Sequence, residues 1–171
     1  MYRFMSAALA LLSLGTMAMA TDYVNDKSHT TIGFEVTHMV ISTVEGEFKD
    51  YDVSLTFDPR DLSKFNVEAN IKLASVDTDN PKRDEHLRSP DFFDAAKYPV
   101  MTFKSNTVEK TDNGYVAIGT LTLHGITRDV RLPFTVKGPV KDPWGNTRIG
   151  VSASTTINRK DYKVSWSKTM D

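Results

Sequence analysis

The chain has 171 residues, a length suited to one domain, with 21 Lys+Arg against 22 Asp+Glu and no cysteine. Near-neutral charge excludes the basic excess that nucleic-acid binding demands. The lack of cysteine excludes disulfide staples and thiolate metal sites, so an exported form must be stable through its apolar core alone.

The first twenty residues, MYRFMSAALALLSLGTMAMA, carry a basic start at Arg3, a short apolar block over 7–14 and a small-x-small site at Ala18-Met19-Ala20. This is the outline of a secretory signal peptide cleaved after Ala20, leaving a mature domain over 21–171. The apolar block is shorter than the roughly 20 residues a membrane span needs, and no second stretch qualifies, so no transmembrane span is expected. Without Arg3 the mature part keeps 20 Lys+Arg against 22 Asp+Glu, a net charge of −2.

After the leader, apolar residues recur at period two. Ile32, Phe34 and Val36 alternate with Gly33 and Glu35; Val53, Leu55 and Phe57 with Ser54 and Thr56; Val67, Ala69, Ile71 and Leu73 with Glu68, Asn70 and Lys72. Leu121 and Leu123 flank Thr122, and Val130, Leu132 and Phe134 flank Arg131 and Pro133. Each pattern predicts a strand with one greasy and one wet face. Pro133 predicts an edge or a bulge in its strand. Asp58-Pro59, Thr111-Asp112-Asn113-Gly114 and the loop Lys141 to Asn146 supply turns.

One segment departs from this pattern. Asp79 to Arg88 predicts a short helix, capped by Asn80, started by Pro81 and followed by acids in the first turn. Ser89-Pro90 predicts a second short turn carrying Phe92 and Phe93. So little helix leaves a sheet face uncovered, and an open antiparallel sheet exposes its edges, so closure into a barrel is favoured. The fold class is all-β, with about eight antiparallel strands and a helical insert near residues 80–96.

The run Lys82-Arg83-Asp84-Glu85-His86-Leu87-Arg88-Ser89-Pro90-Asp91-Phe92-Phe93-Asp94, then Lys97-Tyr98-Pro99 and Thr102-Phe103-Lys104-Ser105, resembles the signature of the YceI-like family. The resemblance extends to Ser28 through Phe34, Gly119 through Thr127 and Asn158 through Tyr162, in the family's order. It implies a lipocalin-like barrel, periplasmic or secreted, that binds polyisoprenoids or similar amphiphilic lipids, often as a homodimer and with a loose link to stress responses. Members continue past the Ser165-Trp166-Ser167 region through a Gly-containing turn into a last strand, whereas this chain reaches Asp171 without one. The expectation is a truncated or missing final strand.

With that resemblance, the inward apolar side chains become candidates to line a lipid tail: Ile32, Phe34, Val36, Met39, Phe48, Met101, Phe103, Ile118 and Leu121, with Phe92, Phe93 and Tyr98 from the insert. The bland alternative is that they are ordinary core, since apolar residues are most often simply buried. Lys82, Arg83, His86 and Arg88 are candidates for a phosphate or quinone head group, against the alternative of a solvated face whose arginines pair with Asp84, Glu85 or Asp91. No cofactor is expected beyond the bound isoprenoid or quinone-like lipid.

Enzyme chemistry is the weaker reading. The histidines His29, His38, His86 and His124 form no His-Glu-x-x-His helix, so no metal site is predicted. Ser89 near His86 offers a nucleophile and base on paper, but without a Gly-x-Ser-x-Gly elbow. A lipid-modifying enzyme using His86 and a structural barrel with a filled core are the alternatives to a binding module.

Overall fold

The computed structural model of the protein describes residues 21–38 and 42–166. The leader, Met39 and the chain end that bears on the last-strand expectation lie outside the described residues.

The period-two segments form ten strands in two antiparallel sheets. One sheet joins β1 (Thr21–Val24), β4 (Tyr51–Phe57), β5 (Asn66–Lys72), β7 (Val100–Thr111), β8 (Gly114–Leu123), β9 (Ile126–Lys141) and β10 (Thr147–Ala153) in that order. The other joins β2 (Ile32–His38), β3 (Ser42–Phe48) and β6 (Val76–Asp77). The antiparallel barrel architecture is as expected, with the strands divided seven and three between a curled sheet and a smaller cover. The helix α1 (Pro81–Arg88) is capped by Asn80, whose side chain accepts from the Arg83 N–H at 3.2 Å, with Pro81 in the first turn, as predicted.

Register aligns the greasy faces. Val53 lies opposite Ala69, Ala69 opposite Phe103, and Phe103 opposite Leu121, so one inward row crosses four strands. Two clusters fill the concave side. One gathers Phe48, Tyr51, Ile71, Leu73, Val76 and Leu123. The other is an aromatic group of Phe57, Phe65, Phe103 and Phe134, with Phe65 and Phe134 stacked at 5.7 Å. Ala69 and Leu121 touch both clusters.

The same register corrects one expectation. In β8, Ala117 is buried and Leu121 packs inward, which turns the residues of opposite parity outward. Ile118 therefore lies on the outer face, opposite Thr107 and Arg131, and does not line the interior. Nor is β9 an edge strand, since it lies between β8 and β10, and no bulge falls at Pro133. β10 pairs with β9 only as far as Phe134, however, and beyond it the Pro133 carbonyl accepts from Ser154 N at 3.3 Å. The N–H that proline lacks falls where the neighbouring strand has ended.

Among the described residues the outer strands β1 and β10 share no ladder. They meet instead through a polar clasp. Arg148 on β10 donates to the Asp26 carboxylate, just past β1, at 2.5 Å and to Asp142 at 2.7 Å. His29 also pairs with Asp26 at 2.9 Å. His29, then the Ser28 N–H and Arg148, hold the Asp26 carboxyl below its ordinary range.

Candidate functional site

The β2–β3 hairpin and the insert after β6 build the site. Phe34 lies opposite Gly46 in the hairpin register. Its ring rests over that glycine, because a Cβ at position 46 would stand 2.5 Å from Phe34 Cζ and 2.7 Å from Thr78 Cγ2. The Phe34 ring then meets Phe48 at 5.6 Å and Phe93 edge-on at 6.5 Å.

Thr78 ties this layer to α1. Its N–H and hydroxyl donate to Asp84 at 2.9 and 2.6 Å, and its hydroxyl accepts from Arg83 Nε at 2.7 Å. Asp84 is only 6% exposed. A buried carboxylate is tolerated when donors surround it, and here the Thr78 N–H, the Thr78 hydroxyl and the first turn of α1 do so.

The structure brings seven of the proposed tail-lining residues into one cluster: Ile32, Phe34, Phe48, Phe92, Phe93, Met101 and Leu121. These side chains pack on one another. Phe103 belongs to the second cluster, joined to the first through Leu121. Tyr98 sits apart, its ring 4.6 Å from His124 and against Gly125, where a Cβ would stand 2.5 Å from Tyr98 Cε1 and where φ is +73°. Val36 continues the greasy face of β2 outward and is 43% exposed. Two open clefts lie elsewhere. One, of about 340 Å³, runs between β9 and residues 155–162; the other, of about 230 Å³, lies by the β7–β8 turn.

The four proposed head-group residues divide. Arg83 commits Nε to the Thr78 hydroxyl and a terminal nitrogen to the Thr78 carbonyl at 2.7 Å. Arg88 Nε donates to the Asp84 carbonyl at 3.2 Å. His86 Nε2 pairs with Asp91 at 3.0 Å, and its ring abuts Phe92 and Trp166 at 4.9 and 4.7 Å. Lys82 is exposed. The expected pairing of Arg83 or Arg88 with a carboxylate takes another form, since both arginines bond to backbone carbonyls, and Arg83 to a threonine hydroxyl as well. The Ser89–His86 dyad is not assembled: Ser89 Oγ donates to the His86 carbonyl at 2.7 Å, away from the imidazole.

Sequence reasoning missed the residues that close this end. Arg159 donates to the Val164 and Trp166 carbonyls at 2.8 and 3.0 Å and folds the chain back. Tyr162 and Val164 thereby enter the first cluster, Tyr162 at 2% exposure. Tyr162 stands in a segment already singled out, Asn158 through Tyr162. No local pattern marked Gly46 or Thr78, and Asp84 was marked only as a helix-start acid and arginine partner, because their roles arise from contacts between strands and helix.

Known proteins share this frame. A UPF0312 protein of Photorhabdus laumondii is 43% identical over 155 residues, covering 90% of this chain and 81% of the relative. One from Serratia proteamaculans is 41% identical over 162 residues, covering 94% and 84%. The solved YceI protein of Campylobacter jejuni is 43% identical, with a TM-score of 0.66 over 82% of this chain and 83% of that one. BcnA of Burkholderia cenocepacia is 28% identical, with a TM-score of 0.63 over 66% and 71%. Residues 23–171 match the model of the YceI-like domain, and with the register and insert described above, the chain belongs to the YceI-like family.

Proposed function

We propose that the protein is a binding module for a long apolar lipid, an isoprenoid or a similar amphiphile, carried or sequestered after export to the periplasm. The observation that carries this reading is the greasy face of β2, which runs from Ile32 and Phe34 in the packed cluster out to Val36 at the surface. The hairpin that bears it pairs only within the small sheet among the described residues, so no ladder ties it to the large sheet. A tail enters by parting those side chains, beginning at Val36, and takes the place of contacts between Phe34, Phe48 and Phe93.

Energy favours such a mode. Each buried methylene contributes about 0.8 kcal/mol, so roughly ten contribute on the order of 8 kcal/mol before ordering costs. Polar contacts then select the head group and need not supply the affinity. On this reading the head group lies at the α1 end, where Lys82 is exposed and makes no ion pair among the described residues, while Arg83 and Arg88 Nε bond within the fold. The undone Ser89–His86 pair supports binding over hydrolysis.

Native mass spectrometry of protein purified from membranes tests this. A co-purified lipid of isoprenoid mass is expected, and Phe34→Asp is expected to lose it. A ligand-free protein that takes up no added isoprenoid, or a folded Phe34→Asp protein with an unchanged lipid complement, overturns the proposal.

A further inference from the structure

The β9–β10 hairpin ends in a turn that is rigid where it is polar and bare where it is apolar. Asp142 accepts from the N–H groups of Trp144 and Asn146 at 3.0 and 2.9 Å, from the Asn146 side chain at 3.1 Å and from Arg148 at 2.7 Å. That scaffold presents Trp144 at 80% exposure. Val140, which lies opposite Arg148 in the register, is 61% exposed. A large aromatic and a valine thus stand bare on one hairpin end.

Arg148 is shared between Asp26 and Asp142, and Lys27 pairs with Asp52 at 3.6 Å. Lys137 and Lys141, on the same hairpin as Trp144, are exposed and make no ion pair among the described residues. An exposed tryptophan and valine on a hairpin that also carries unpaired lysines is the chemistry of the membrane–water interface, where an indole sits at head-group level and lysines meet anionic phosphates. We infer that the Trp144 hairpin tip, with Val140, docks the protein onto an anionic lipid bilayer. The inference goes beyond the tail-binding reading and stands without it.

The test uses vesicles of phosphatidylglycerol and phosphatidylcholine. The chain has two tryptophans, so Trp166→Phe leaves Trp144 as the sole reporter. Its emission is expected to shift to the blue on vesicle addition and to be quenched by lipids brominated near the head group. Trp144→Ala is expected to lower vesicle partitioning by at least about tenfold, given the area an indole buries, with an unchanged unfolding curve because the side chain is exposed. Lys137→Glu with Lys141→Glu is expected to weaken binding to the anionic vesicles. An unshifted Trp144 emission, equal partitioning of Trp144→Ala, or a blue shift that grows with protein concentration without vesicles and so marks a second copy, overturns the inference. Lipid content by native mass spectrometry is read separately, so loss of carried lipid and loss of docking are distinguishable.

Discussion

Gly46→Ala probes the layer under Phe34. The added methyl would stand 2.5 and 2.8 Å from Phe34 Cζ and Cε1 and 2.7 Å from Thr78 Cγ2. To make room, Phe34 would have to give up its packing on Phe48 and Phe93, and the Thr78 hydroxyl is bonded to Asp84 and Arg83. Overpacking of this kind costs about 1–3 kcal/mol. Removing a glycine from a strand returns about 0.5–1 kcal/mol through the unfolded state. The net expectation is a loss of about 1–2 kcal/mol, read by urea unfolding as a lower midpoint at constant slope, or as a fall in Tm of roughly 3–8 °C. Phe34→Leu in the same chain relieves the clash, so the double variant is expected to regain about 0.5–1 kcal/mol relative to additivity. A Gly46→Ala protein at least as stable as the parent, or strictly additive variants, refutes the packing argument.

Two further outcomes follow from the polar anchors. Asp84→Ala strips the acceptor from the buried Thr78 N–H and hydroxyl and is expected to destabilise by about 2–4 kcal/mol in denaturant titration, with Asp84→Asn less damaging because one acceptor remains. Acid is expected to open the clasp. Desolvation in its turn raises the Asp142 pKa, but the bonds from Arg148 and Asn146 and the backbone N–H groups outweigh it, so the carboxyl titrates at about 2 against an ordinary 3.8. A depressed folded-state pKa stabilises above the ordinary value, so this contribution is complete above about pH 4 and is lost as pH falls through about 2. Asp142→Asn is expected to flatten that part of the acid-unfolding profile, and an unchanged profile counts against the clasp.

Much of the frame was legible in the residue order. Period-two alternation located the strands around Phe34, Leu55 and Ala69, since a pleated backbone sends successive side chains to opposite faces. Asn80-Pro81 marked the start of α1, because a capping side chain and a proline suit unpaired N–H groups at a helix start. Pro133 marked a missing ladder partner for the same local reason. The lipid-lining set was legible as a greasy set, and most of it does gather, but the sequence did not decide whether those residues enclose space or fill it.

What the chain order determined by itself are the features set within a few residues: alternation, caps and turns. Tertiary structure alone decided the rest, because register and long-range approach belong to no single segment. One step of register turned Ile118 outward while its neighbours Ala117 and Gly119 face in. The curl of the large sheet brought Arg148 to Asp26 from 122 positions away. The fit of hairpin to insert placed Gly46 beneath Phe34 and gave Arg83 to Thr78, since a side chain's partner is chosen by which donors and acceptors the packed backbones leave within reach.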